Sequence, residues 1–157
     1  MDAASGAYRR TMTENPTTDA VTAGGLMSTP VVAVTAEHSL AAAWEAMRQR
    51  QVHHVAVLDD LGIAAVLDDR TVAADWPAGG PDAPHGRRIG DIVRRGVRCV
   101  LPETPAAAVA RVMVDDRCDA VPVVTRTGVL VGLVTSTDLV AALAAGAVAV
   151  ESSGVSG

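Results

Sequence analysis

Thr135, Ser136, Thr137 and Asp138 stand where a β-rich apolar run, Val129 to Val134, gives way to an Ala/Leu-rich one. A hydroxyl three residues before a carboxylate has two uses at such a junction. It can cap a helix, with Thr135 or Ser136 accepting a backbone N–H and Asp138 serving as the first-turn acid. It can also face a ligand. Asp138 then accepts a pair of vicinal hydroxyls, Thr135 turns its hydroxyl to the ligand, and the free N–H groups from Thr137 onward draw an anion. His53 and His54, within Gln51-Val-His-His-Val-Ala-Val57, form a second polar pair whose imidazole N–H groups could face a ligand. The alternative is a surface pair beside a turn. Strand alternation lets at most one of the two line a given cleft.

Other reactive side chains point to less. His38, His85, Cys99 and Cys118 show no metal-ligand spacing, so no metal site is expected. Cys99 reads as a core residue of a strand and Cys118 as the residue just before one, both inert thiols. Arg87, Arg88, Arg94, Arg95 and Arg98 form either a phosphate-attracting rim or a solvated face. No Gly-rich phosphate loop, nucleophile elbow or paired acid–base carboxylates occur in a suitable context, so an enzyme is not expected.

Composition narrows the partners. The chain has 157 residues, a net charge of −5 and 2% aromatics, and all its basic residues are Arg. Such a chain lacks both the positive field and the stacking platform of a nucleic-acid binder. Arg9-Arg10 leads into a polar run, which is not a signal peptide, and two cysteines suit a reducing compartment; the expected location is cytoplasmic. Val129 to Val150 is apolar enough to suggest a membrane span, but Asp138 sits in its middle and its character changes there, so it reads as strand then helix.

The elements that must position these residues repeat. An offset of 66 positions relates Glu37 to Glu103, Met47 to Met113 and Gly62 to Gly128. Each half reads strand, helix, strand, strand, helix. Leu40, Ala43, Trp44 and Met47 mark one helical face, matched by Ala106, Val109, Ala110 and Met113. Thr104-Pro105 is the better helix start and His38-Ser39 the poorer. Val31–Val34, Val52–Leu58, Ile63–Leu67, Val121–Val124 and Val129–Val134 read as strands, with helical segments near 70–76 and 137–147. The expected division is a disordered segment over 1–20, a first repeat over 21–76, a Pro/Gly-rich linker over 77–88, a second repeat over 89–147 and a flexible tail over 148–157. Neither half has enough apolar surface to fold alone, so the two should pack sheet to sheet.

This tandem resembles the paired CBS domain, or Bateman module, over about Val21 to Leu143, here as a free-standing protein. Gly132-Leu-Val-Thr135-Ser-Thr-Asp138 looks like the family's Gly-h-h-Thr-x-x-Asp segment, where h is apolar. Ala120-Val121-Pro122-Val123-Val124 looks like its h-Pro-h-h strand, and Met27-Ser28-Thr29-Pro30-Val31 like its opening motif. The resemblance implies an α/β (α+β) fold of two β-α-β-β-α repeats with pseudo-two-fold symmetry. It implies a regulatory module that binds AMP, ADP, ATP or S-adenosylmethionine between the repeats, dimerises with itself and signals to an unknown protein target. On that reading Asp138 takes the ribose, Thr135, Ser136 and Thr137 lie beside ribose and phosphate, and Ala120, Val121 and Pro122 wall the base. Backbone at Val97, Arg98 and Cys99 reads the adenine edge, and His53 or His54 faces phosphate. The first repeat departs from the motif: a one-residue shift puts Asp68 in place of the Thr and Thr71 in place of the Asp, so one good site is expected rather than two. The alternative is a ligand-free interaction module acting through dimerisation.

Overall fold

A computed structural model describes residues 21–76 and 86–146. The expected N-terminal segment and tail, and most of the linker, lie outside the described residues. In chain order the elements are α1 (Ala23–Leu26), β1 (Ala33–Thr35), α2 (Leu40–Arg50), β2 (His54–Asp59), β3 (Gly62–Asp68) and α3 (Asp69–Ala74). A 3-10 turn (Ile89–Asp91) then precedes α4 (Ala106–Asp116), β4 (Ala120–Val124), β5 (Leu130–Thr135) and α5 (Ser136–Ala144).

Periodicity decides most of this. Leu40, Ala43 and Met47 bury the inner stripe of α2, and Ala106, Val109 and Met113 that of α4. Trp44, expected inside, is 40% exposed and meets Trp76 edge-on with ring centroids 5.9 Å apart. In the first sheet β1 runs parallel to β2 and β2 antiparallel to β3. In the second, β4 and β5 are antiparallel, and the partner expected beside β4 shrinks to a single parallel bridge between Val100 and Val123. Cys99 is therefore not a core strand residue: it lies before that bridge and is exposed. The apolar stretch once suggestive of a membrane span is β5 followed by α5, and no helix among the described residues is long and apolar enough to cross a membrane.

The repeats complete each other by exchanging their opening segments. The N–H groups of Ala23 and Gly24 donate to Thr104 O and Pro102 O at 2.7 and 2.8 Å. At the same offset of 66, Ile89 and Gly90 donate to His38 O and Ala36 O at 2.9 and 2.8 Å. A Cβ on either Gly24 or Gly90 would lie 3.1 Å from the accepting carbonyl, so the close approach selects Gly at both positions. The exchange reaches the cores. Ile89 is buried in the first core with Leu40, Val57 and Val72, while Ala23 is buried in the second with Val109, Val121 and Val134.

Exchange also explains the helix starts, which reverse the expected ranking. Thr104 does not cap α4; its hydroxyl accepts the Leu101 N–H at 3.0 Å, and the capping position falls to Pro105 with no side-chain bond. The Ala106 N–H is met instead by Val21 O at 2.7 Å, as the Leu40 N–H is by Arg87 O at 3.0 Å. Ser39, the poorer signal, does cap α2: the Ala42 N–H donates to its Oγ at 3.2 Å.

The one-residue shift has a place. The first hairpin closes between paired Asp59 and Gly62, whereas the second runs from Thr125 to Val129, where the Thr125 N–H donates to Val129 O at 2.8 Å. The longer turn moves β5 and its helix start one position, so that Asp68 and Thr135 are equivalent caps with matching backbone (φ −105, ψ 164 and φ −107, ψ 163).

The incoming segment fits tightly against β5. Ser28 and Leu133 exchange backbone bonds, and a Cβ on Gly132 would fall 2.2 Å from Met27 Sδ and 2.7 Å from Met27 Cβ. Gly132→Ala should therefore push the exchanged segment off the sheet and cost about 1–3 kcal/mol through overpacking. Urea unfolding checks it; a midpoint equal to that of the parent chain would show that the segment is not seated there.

Candidate ligand-binding site

β5 delivers Thr135 to the start of α5, and the backbone turn there places Asp138 one helical turn further on. The cap expected as one reading is formed. Thr135 N–H and Oγ–H both donate to Asp138 Oδ2, at 2.7 and 2.9 Å, and the Asp138 N–H lies 3.4 Å from Thr135 Oγ. All of this falls on one carboxylate oxygen. Among the described residues nothing donates to Asp138 Oδ1.

Asp138 borders a cavity of about 540 Å³ between the repeats. The second repeat contributes Thr135, Ser136, Thr137 and Asp138, with Leu133 and Asp119. Opposite them stand Ser28 of the exchanged segment and Pro30, Val31 and Val32, which lead the chain back into β1 of the first repeat. The Thr29–Pro30 peptide between the two is cis. Val52, His53, His54, Asp69 and Arg70 close the remaining side.

Both histidines border this cavity, against the expectation that strand alternation admits one. His53 precedes β2, so the alternation does not reach it. Its Nδ1 lies 2.7 Å from Asp69 Oδ2, and this contact holds the Asp69 carboxyl below the usual aspartate range. His54 Nε2 lies 3.0 Å from Asp119 Oδ1, which joins the two repeats, and the His54 side chain is 14% exposed.

Other expected site residues stand elsewhere. Val121 and Pro122 are fully buried in the second sheet and cannot wall a base. Ala120 is buried and borders a neighbouring cavity. Val97, Arg98 and Cys99 do not line the site, and Arg98 is held by Asp116 at 2.6 and 2.7 Å. The reason is the exchange: the strand opening beside Thr135–Asp138 belongs to the first repeat, at Val31 and Val32. Most of the arginine cluster is likewise committed to separate ion pairs, Arg87 to Asp75, Arg88 to Glu37 and Arg95 to Asp59. It forms no shared phosphate rim.

A pseudo-equivalent cavity of about 370 Å³ is bordered by Cys118, Asp119, Ala120, Asp68 and Thr71. Here Thr71 occupies the place of Asp138, and its N–H donates to the capping Asp68 Oδ1 at 2.6 Å. Burial raises the Cys118 thiol above its ordinary value.

The CBS-domain family model matches residues 23–74 and 89–145. The chain belongs to the CBS-domain family. Among solved structures this CBS pair is similar to the cytosolic domain of the Mg2+ channel MgtE in complex with ATP (28% identity, TM-score 0.61), covering 76% of this chain and 48% of that one, so it spans about half of that domain. It is also similar to the CBS domain pair of protein MJ0100 in complex with 5-methylthioadenosine and S-adenosyl-L-methionine (22% identity, TM-score 0.66, 80% of this chain and 96% of that one). A third is CBSX2 in complex with AMP (23% identity, TM-score 0.64, 79% and 96%). Among curated proteins nothing matches.

Sequence reasoning missed Val31, Val32, Asp69, Arg70 and Asp119. The repeat offset carries Val97–Cys99 onto Val31–Ala33 and could have found the first two, had the exchange been foreseen.

The His53 contact favours the ionised Asp69 in the folded chain. Its stabilising effect is present above the unfolded carboxyl's range and is lost as acid protonates Asp69. In His53→Ala the Asp69 carboxyl should titrate closer to an ordinary aspartate, and stability should fall less steeply on acidification. An NMR pH titration reads the first, and an unchanged Asp69 curve would contradict the pairing.

Proposed function

We propose that this CBS pair is a regulatory sensor that binds an adenosine-containing ligand in the 540 Å³ cavity and signals to a protein partner rather than catalysing a reaction. The observation that carries it is the divided role of Asp138: Oδ2 holds the helix cap while Oδ1 stays open beside a cavity. Oδ1 takes the ribose hydroxyls, Thr137 N–H faces an anion at the helix start, and Val31 and Val32 supply the apolar wall and backbone that Val97–Cys99 do not. Structural neighbours crystallised with ATP, AMP and S-adenosyl-L-methionine support the ligand class.

Charge selects within that class. Asp69, Asp119 and Asp138 border the cavity, and both histidines face carboxylates. Among the described residues Arg70 is the cavity's one cation outside an ion pair. A triphosphate meets too little positive charge there, so AMP or S-adenosylmethionine fits better than ATP.

Val114, Val140 and Leu143 are 75%, 63% and 44% exposed on α4 and α5. They favour a second role in homodimerisation, which in a ligand-free module would be the whole function.

Calorimetric titration with AMP, ADP, ATP and S-adenosylmethionine tests the sensor. The expected order places AMP or S-adenosylmethionine above ATP. Asp138→Asn keeps an acceptor for the cap and loses the charge on the diol, so binding should weaken about 10- to 100-fold, the loss of one charge-assisted bond. If none of the four binds, the ligand-free module is the correct reading.

A further inference from the structure

Three side chains from separate parts of the chain converge beside the second cavity: His54 at the start of β2, Asp68 at the end of β3, and Asp119 from the other repeat. One donor atom from each lies within 4.8 Å of the other two. The placement follows from the fold. His54 and Asp68 are register partners across the β2–β3 hairpin, and the junction between repeats sets Asp119 against His54. All three are partly buried.

The geometry points to a binding site for a first-row divalent metal ion, Zn2+ by donor type, that clamps the two repeats together. One imidazole and two carboxylates suit Zn2+ or Mn2+ better than Mg2+, which prefers oxygen donors and keeps its water. Bonds of about 2.0–2.2 Å to a central ion need the donors drawn in by roughly 1 Å, within reach of side-chain rotation. The carboxylates can spare the atoms. Asp68 caps α3 through Oδ1, which leaves Oδ2, and Asp119 meets His54 through Oδ1, where the ion displaces the shared proton. Water completes the coordination. Arg70 and Arg117 border the same cavity and make no ion pair among the described residues. They balance the two acids without the metal and turn outward when it binds. The site does not depend on the nucleotide reading, because Asp138 takes no part in it.

Chelator-treated full-length protein is titrated with ZnCl2, MnCl2 and MgCl2 without nucleotide, by calorimetry and thermal unfolding. Zn2+ should bind at one ion per chain and raise the melting temperature, with Mn2+ weaker and Mg2+ without effect. His54→Gln, Asp119→Asn and Asp68→Asn should each weaken Zn2+ binding at least tenfold while melting near the parent temperature without metal; Asn at position 68 retains a cap acceptor. His53→Gln, which alters the neighbouring His53–Asp69 pair, should leave Zn2+ binding intact. Absence of Zn2+ binding, or binding that survives the position-54 and position-119 changes, overturns the site. Loss in His53→Gln alone would do the same by moving the ion to Asp69. A variant that melts far below its parent is read instead through the other two, and the site stands only if both lose Zn2+.

Discussion

Four backbone hydrogen bonds, two from Ala23 and Gly24 and two from Ile89 and Gly90, hold each repeat's opening segment on the other repeat. Everything else rests on that exchange. A three-stranded and a two-stranded sheet are too small to bury an adequate core alone. Each gains a closing wedge, Ile89 on one side and Ala23 on the other, that its partner supplies. The same segments satisfy the first N–H of α2 and α4. Pulling one out would open a core and uncap a helix together, so the two repeats should unfold as one unit.

The exchange also decides what the cavity is made of. Ser28 pairs with Leu133, which brings Val31 and Val32 across from Thr135–Asp138. A ligand there touches material from both repeats and so reads their relative position. That is the requirement for a sensor, because a ligand shifts an equilibrium only through contacts that differ between two arrangements. The capping box does not compete with this. By fixing Oδ2 it holds the Asp138 side chain in place, so less rotamer freedom is lost when Oδ1 is engaged.

How much of this was legible in the sequence follows from how local each signal is. The strand and helix order, the stripes of α2 and α4, and the repeat are short-range patterns, and they survive folding. The cap at Thr135 is also local: three residues fix it. What misled were positions whose partners come from the other repeat. Thr104 looks like a cap because nothing nearby reveals that Val21 O takes the Ala106 N–H. Val97–Cys99 look like the wall because the reading kept each strand opening with its own repeat. Cys99 looks buried because its strand was expected to extend beyond a single bridge. The convergence of His54, Asp68 and Asp119 has no spacing to detect, since it joins a hairpin pairing to a contact between repeats.

The two cavities place different charges at equivalent positions of one fold. Their walls are related by the repeat, yet the longer second hairpin shifts one helix start, and the residue types at that start have parted. Thr135 with Asp138 puts a neutral cap first and a carboxylate one turn later, open to the cavity. Asp68 with Thr71 reverses the order, so the charge sits at the cap itself, close to His54 and Asp119. A carboxylate at the later position suits a diol. At the earlier one it repels phosphate and attracts a cation. On the two proposals, moving one negative charge by three residues separates a nucleoside-type pocket from a metal-type one, with His54 and Asp119 bordering both.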